Sequence, residues 1–326
     1  MRHIGRGLFA LALCAGAATN VAVAQDSTRA ELLAGLLVTT GIEGAQPRSS
    51  VASLPNAACP LTPNQVTAAR AGVGTAFVGG NAYLYHYFKK AWWSGERAPH
   101  FFFHADWDQE FRDQDKFGHL LGGYHLARIG YAGMREACVG EKKAIFWSAA
   151  YAAVFQLQIE IFDGQFKKYG FSYADMIANT TGQALAVMQE LHPRLRAIKP
   201  TFSYHRTGAL KNGVNPELRP TLDYSGQTYW FSADVNELLP DAAKPYWPSF
   251  IRFSAGHSIT DWINPQPPGA AQRAKRKIVL SLDFDPEKLP GNAPLWRTIK
   301  HTLSYYHFPA PALELTPKLH LSPWYR

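Results

Sequence analysis

The segment FRDQDKFGHLLGGYHLARIGYAGM, residues 111–134, carries charged residues within an otherwise apolar, helix-like pattern. Asp115 and His119 are four residues apart, so an α-helix places both side chains on one face, with Lys116 beside them. A charge on a buried helix face is costly unless it meets a partner. The segment therefore predicts a helix whose polar face contacts other polar groups.

Two later segments repeat this arrangement. EKKAIFWSAAYAAVFQLQIEIFDG, residues 141–164, is apolar for most of its length and then presents Glu160 and Asp163, three residues apart. SYADMIANTTGQALAVMQEL, residues 172–191, carries Asp175 and Asn179, four residues apart. Because three such pairs would each be costly alone, we expect them to converge on one polar site inside a helical bundle.

Three interpretations of this site remain open from the sequence. In the structural one, Lys116 neutralises Asp175 or Glu160, and His119 and Asn179 complete a buried hydrogen-bond network. In the catalytic one, His119 and Asp115 act as base and orienting group, while Glu160 or Asp163 is the acid. The candidate catalytic residues are Asp115, Lys116, His119, Glu160, Asp163, Asp175 and Asn179.

A divalent metal ion is the third interpretation. Asp115, His119, Glu160 and Asp175 could supply carboxylate and imidazole ligands. We identify no residues for an organic cofactor, since the chain has no G-x-G-x-x-G, no phosphate-binding loop and no G-x-S-x-G. A second metal-binding candidate is the polar loop that holds His100, His104, Asp106 and Asp108.

Residues 1–24 are predicted to be a secretory signal peptide. A basic start with Arg2 and Arg6 precedes an apolar run and the small residues Ala22-Val23-Ala24. Cys14 follows Leu13, where a lipoprotein cleavage site requires a small residue, so we do not expect lipid anchoring there. The protein is therefore expected in the periplasm or cell envelope.

Composition indicates a globular protein with moderate positive charge. The 326 residues are 47% hydrophobic and 18% charged, with a formal net charge of +8. This excess favours an anionic membrane surface or anionic substrates. Nucleic acid is excluded as a partner because no Lys/Arg cluster is interleaved with base-stacking aromatic residues.

The chain after the signal peptide divides into three predicted parts. Residues 25–62 form a linker rich in proline and small residues, and residues 63–193 form the four-helix bundle. Its first helix begins near Thr62, ends near Lys90, and contains glycines that would let another helix approach closely: Gly72, Gly74, Gly79 and Gly80. Residues 83–93 are aromatic and basic, which is typical either of a membrane interface or of a hinge packed on its own protein.

Residues 194–326 are predicted to be mainly β-structure, because 16 of the 22 prolines lie from Pro200 onward. KIVLSLDFD, residues 277–285, alternates apolar and polar side chains. Weaker strand candidates are residues 228–235, 250–259 and 313–321, and a helix is expected over residues 293–307. The fold class is thus α+β: a four-helix bundle followed by short antiparallel strands and one helix.

Three stretches carry a resemblance to a known family: DKFGHLLGGYHLARIGY, IEIFDGQFKKYGFSYADMIANTTG and DYSGQTYWFS. Together they resemble the YfiM-like family of predicted bacterial periplasmic lipoproteins of unknown function, over residues 63 to the end. More distantly, the D-K-x-x-H, E-x-x-D and D-x-x-x-N elements resemble VanZ-like membrane proteins, although Asp163 stands where Gln is usual. The resemblance implies an envelope location and a helical core, but no particular reaction.

Two functions are consistent with these observations. The first is a membrane-associated envelope protein with a structural or lipid-binding role. The alternative is an acid-base or metal-dependent hydrolase that acts on a lipid, a lipid phosphate or a cell-wall precursor.

Cys59 and Cys138 remain after signal-peptide removal, and the expected compartment is oxidising. Cys59 precedes the first predicted helix, and Cys138 follows the second. Since antiparallel neighbouring helices place these ends together, we predict a Cys59–Cys138 disulfide.

Overall fold

The computed structural model describes residues 59–213, 220–260, 262 and 273–325. Within these residues the chain forms two compact units. We call residues 59–107 and 116–191 the helical unit, and the described residues of 108–115 and 192–325 the sheet unit. The mixed α+β class is confirmed, whereas the predicted signal peptide and most of the predicted linker lie outside the described residues.

Four long helices dominate the described part of the helical unit: α1 (Pro63–Ala91), α2 (Gln114–Glu136), α3 (Glu141–Asp163) and α4 (Tyr173–Leu191). The first two residues of α2 belong to the sheet unit. The short strands β1 (Phe103–His104) and β2 (Phe171–Ser172) pair in parallel. These helices correspond to the predicted bundle.

The start of α1 is stabilised by a capping box. The backbone N–H of Thr62 donates to Gln65 Oε1 over 2.9 Å, and Pro63 occupies the first turn. The predicted disulfide is confirmed, since Cys59 and Cys138 are bonded with their Cα atoms 5.7 Å apart. The bond therefore joins the start of α1 to the residues after α2.

Close helix packing occurs at glycines other than those predicted. A Cβ atom on Gly182 would lie 1.9 Å from the Leu120 carbonyl oxygen, and one on Gly123 would lie 2.3 Å from the Asn179 carbonyl oxygen. The backbones of α2 and α4 are thus in direct contact. For Gly72, Gly74 and Gly79 of α1 the prediction was wrong, because a Cβ atom there would meet nothing within 4 Å.

This contrast predicts opposite effects of two matched substitutions. Gly182→Ala is expected to lower the free energy of unfolding by about 3 kcal/mol, because the methyl group collides with backbone atoms that cannot move alone. Gly79→Ala is expected to raise it by about 0.5–1 kcal/mol, since the site is open and alanine favours the helix. Denaturant unfolding measures both, and equal effects would contradict this account of helix packing.

The aromatic segment 83–93 packs largely on its own protein. The rings of Tyr85 and Trp93 lie 5.1 Å and 4.7 Å from that of Phe162 in α3, and Trp93 is buried. These contacts also show that α1 and α3 run in the same direction, since Phe77 stacks on Tyr151 nearer their N-terminal ends. The packed alternative therefore holds for Tyr85 and Trp93, while Tyr83 remains exposed.

The sheet unit contains a six-stranded antiparallel sheet among its described residues. The strands follow chain order: β3 (Ile198–Tyr204), β4 (Gln227–Asp234), β5 (Ile251–Ile259), β6 (Arg276–Phe284), β7 (Ala310–Glu314) and β8 (His320–Tyr325). Its helices are α5 (Gly208–Lys211), α6 (Val235–Leu238) and α7 (Pro294–Leu303). The predicted strand 313–321 is wrong as one element, because a bend at residues 316–318 divides it into parts of β7 and β8.

The buried residues of this sheet include a polar network beside a small apolar cluster that contains Trp230 and Val279. Arg252 donates to Asp283 Oδ2 over 2.5 Å and to the Ser304 carbonyl oxygen over 2.9 Å. The hydroxyl oxygens of Ser232 and Ser254 lie 2.7 Å apart and extend this network. The alternation predicted for β6 is present, and its buried side carries Ser281 and Asp283 while its outer side is apolar.

Candidate functional site

Three helices place polar side chains at one position inside the helical unit. Helix α2 contributes Lys116 and His119, α3 contributes Glu160, and α4 contributes Asp175 and Asn179. Four of these residues are buried and His119 is partly exposed. The predicted convergence is therefore correct for these five residues, which we call the polar cluster.

Lys116 is the buried cation of the cluster. Its ammonium group forms ion pairs with Asp106 and, at 2.8 Å, with Asp175 Oδ1. Ser172 Oγ donates to Asp106 Oδ1 over 2.6 Å and accepts the backbone N–H of Asp175 over 2.9 Å. Asp106 therefore belongs with the polar cluster. Sequence reasoning placed it only in a candidate metal loop, because no helical spacing links it to Lys116.

His119 lies between the amide and carboxylate groups. Its Nδ1 is 3.2 Å from Asn179 Oδ1 and 3.8 Å from Glu160 Oε1, and its Nε2 is 3.5 Å from Asp175 Oδ1. Gln156 also donates a hydrogen bond to Asn179 Oδ1, so the Asn179 side chain presents its acceptor oxygen, and not its NH₂ group, at this position. We therefore assign the hydrogen to His119 Nδ1, and Nε2 then faces a carboxylate oxygen.

Glu160 is fully buried between α2 and α4. Its Oε2 accepts the backbone N–H of Ser172 over 3.2 Å, while its Oε1 has no hydrogen-bond partner among the described residues. Burial raises the pKa of Glu160 to about 8, although nearby His119 opposes the shift. At neutral pH the carboxyl group therefore retains a proton unless a cation approaches it.

Asp163 lies one turn beyond Glu160 and binds a different partner. Trp93 Nε1 donates to Asp163 Oδ1 over 2.6 Å. Burial raises the pKa of this carboxyl to about 6, while the Trp93 hydrogen bond opposes the shift. The role of Asp163 as the catalytic acid stays a prediction.

Asp115 belongs to the sheet unit. Burial, and after it the charge of Asp115, raises the pKa of Tyr229. The role of Asp115 beside His119, as an orienting group or a metal ligand, stays a prediction. Asp108 also lies in the sheet unit, where it pairs with Arg112, Arg273 and Arg276, so Asp106 and Asp108 bind different cations.

The polar cluster combines a partly exposed imidazole, a buried carboxyl group with a raised pKa and an excess of carboxylates over fixed cations. Side chains arranged in this way can exchange protons or bind a cation. A purely structural network would leave fewer buried polar atoms without a hydrogen bond.

Residues 108–191 match the family described as predicted periplasmic lipoprotein (DUF2279). No curated protein and no solved structure matches the chain. The matched region contains α2, α3 and α4, and therefore the five residues that these helices contribute to the polar cluster, but not Asp106. The match does not test the YfiM-like name or the VanZ-like resemblance, but it supports a bacterial periplasmic or cell-envelope protein of unknown activity.

Proposed function

We propose that this protein is a membrane-associated envelope protein whose apolar outer surface binds lipid. The observation that carries the proposal is that, in both units, many polar groups are buried while many large apolar side chains are exposed. In β6 the buried Ser281 and Asp283 alternate with Leu282 and Phe284, which are 38% and 43% exposed. A water-soluble sheet places such residues the other way round.

The helical unit has the same inverted distribution. Ser148, Gln156 and Glu160 of α3 are buried, whereas Trp147 and Val154 are 57% and 65% exposed. The other exposed apolar residues of the long helices include Val78, Phe146, Leu157, Ile161, Ile177, Met188 and Leu191. Because Trp147, Val154 and Ile161 recur every seven residues, they lie along one face of α3, and such an exposed apolar stripe favours contact with lipid.

Helix α3 also satisfies the simplest criterion for contact with a bilayer. Among the described residues it alone is long and apolar enough to cross a membrane, judged by length and composition, and only 28% of its most apolar window is buried. The family match supports an envelope location, where lipid is available.

Exposed lysines flank the apolar surface at both ends. Lys142 and Lys143 open α3, and Lys89 and Lys90 close α1. Since α1 and α3 run in the same direction, the two pairs lie at opposite ends of these helices. Lysines so placed can contact anionic headgroups while the apolar residues between them contact acyl chains.

Binding to liposomes tests this proposal. The purified protein is mixed with vesicles of phosphatidylethanolamine and phosphatidylglycerol and then separated by flotation. Wild-type protein should float with the vesicles, and Trp147→Ser combined with Val154→Ser should lower the partition coefficient by at least about tenfold, because two apolar side chains no longer enter lipid.

The matched control is Tyr246→Ser, which removes an exposed aromatic residue from a short turn outside the long helices and the strands, and it should bind as wild type does. Thermal melts should show that all three proteins are folded, since the substituted side chains are exposed. The proposal is wrong if wild-type protein stays with the aqueous fraction, or if the double variant floats as well as wild type does.

An acid-base hydrolase is the second candidate, and the protonated state of Glu160 favours it. A buried acid with a pKa of about 8 beside a partly exposed imidazole can donate a proton at neutral pH. The substrate class would be a lipid or lipid phosphate presented at the membrane. Hydrolysis of phosphatidic acid in mixed micelles, lost in both His119→Gln and Glu160→Gln, would support this candidate, whereas no hydrolysis by wild-type protein would count against it.

A further inference from the structure

Charge in the polar cluster is unbalanced. Asp106, Glu160 and Asp175 are buried carboxyl groups, and Lys116 is the fixed cation that pairs with two of them. In the cation-bound state, in which Glu160 has lost its proton and His119 is neutral, the three carboxyl groups and Lys116 together carry a formal charge of −2. Because uncompensated buried charge is strongly unfavourable, the cluster favours a species with two positive charges.

The geometry offers three ligand atoms to such a species. One atom each from His119, Glu160 and Asp175 lie within 4.8 Å of one another. Ligands about 2.0–2.2 Å from a bound ion lie about 3–3.5 Å apart, so a small inward movement of these side chains would complete the site.

Two observations favour a cation at this position. Glu160 Oε1 is buried and accepts no hydrogen bond from the described residues, although its other oxygen does. His119 Nε2 lies 3.5 Å from Asp175 Oδ1, so one ion could contact both atoms. A cation at this position would satisfy the Glu160 oxygen and could bind the nearby His119 and Asp175 atoms as well.

We infer that His119, Glu160 and Asp175 bind one divalent transition-metal ion of the Zn²⁺ class. An imidazole with two carboxylates suits Zn²⁺ or Mn²⁺ better than Ca²⁺ or Mg²⁺, which prefer oxygen ligands alone. Asn179 would orient the imidazole through Nδ1, and Lys116 would hold Asp175 in position. Three protein ligands leave a coordination position open to water or to an anionic ligand.

The inference is independent of lipid binding, and it is tested with the full chain, purified in detergent and treated with a chelator. Isothermal titration with Zn²⁺ should show one site per chain, and saturating Zn²⁺ should raise the melting temperature of wild-type protein, because the ion binds only the folded state. Co²⁺ should give the visible absorption of a site with imidazole and carboxylate ligands.

Glu160→Gln and His119→Gln should each weaken Zn²⁺ binding by about 100-fold, since each removes a ligand while conserving most of the volume. Asp163→Asn is the matched control. It also neutralises a carboxyl group of α3, but its side chain can still accept the hydrogen bond from Trp93, so its affinity should stay within about threefold of wild type.

The inference is overturned if Zn²⁺ neither binds nor stabilises wild-type protein, a result that does not depend on the folding of any variant. It is equally overturned if Glu160→Gln and His119→Gln bind the ion as tightly as wild type does, or if Asp163→Asn loses binding to the same extent as they do.

Discussion

Acidification from pH 6.5 to pH 4 is expected to lower the free energy of unfolding of the sheet unit by up to about 7 kcal/mol, because two buried histidines must be neutral in the folded state. Burial lowers the pKa of His257 and of His307 to about 4, below their ordinary value of 6.5. His257 Nδ1 is hydrogen-bonded to Gln114 Oε1, and the His307 ring stacks on Trp230 with ring centroids 3.8 Å apart. Both side chains are buried, so a charged imidazole at either position would lose its contact with water.

The direction of this effect follows from proton uptake. Above pH 6.5 both histidines are neutral in the folded and unfolded states, so stability is fully present. Between pH 6.5 and pH 4 the unfolded chain binds protons that the folded chain does not, and stability falls. Below pH 4 both states are protonated, and these residues cause no further loss.

Denaturant unfolding followed by Trp fluorescence at several pH values measures the effect. For the double variant His257→Gln and His307→Phe, the free energy of unfolding should change much less between pH 6.5 and pH 4, because neither new side chain titrates. The introduced phenylalanine keeps an aromatic ring against Trp230. Glu160 and Asp163 have raised pKa values and act in the opposite direction, so the difference between wild type and variant is the informative quantity. Identical slopes would show that the histidines do not control acid stability.

Removal of the Cys59–Cys138 disulfide should have the next largest effect. The two cysteines are separated by 79 residues, and a loop of that size stabilises the folded state by about 4–5 kcal/mol in the entropic description. The double variant Cys59→Ser and Cys138→Ser should therefore unfold at lower denaturant concentration than wild type. The expected loss exceeds that of Gly182→Ala, although both changes affect the packing of the same unit.

Alkylation provides the direct test of this bond. Without reductant, mass spectrometry should find neither Cys59 nor Cys138 alkylated in the purified protein, and both should react after reduction. As a control, the Arg70 hydrogen bonds to the carbonyl groups of Ala137 and Cys138 do not depend on sulfur, so α1 should still form in the double variant. Two reactive thiols in untreated protein would rule the bond out.

Some features of the site could be read from local sequence patterns. Residues spaced three or four apart in apolar segments predicted the helices and the convergence of His119, Glu160 and Asp175, because a buried charge needs a partner wherever it lies. Asp106 was harder to place. It comes from an irregular loop, and its pairing with Lys116 depends on how the chain folds back.

Two strands show why other features could not be predicted. Pro200 lies within β3, where a proline normally argues against a strand, but β3 is an edge strand and can accommodate a residue without an N–H group. In β6 the alternation of apolar and polar residues predicted a strand but not which side is covered. That choice depends on Arg252, which is distant in sequence and pairs with Asp283.

The sequence by itself determined the helical segments, the α+β class and the pairing of the two cysteines, because helical spacing, proline content and cysteine number act locally or leave one solution. Only the tertiary structure decided which side chains face inward and which glycines allow backbone contact. Those choices depend on groups far apart in the chain: Gly182 on α4 meets the Leu120 carbonyl oxygen on α2, and Asp283 on β6 meets Arg252 on β5. Such contacts form only when the complete fold brings their partners together, and no local pattern records them.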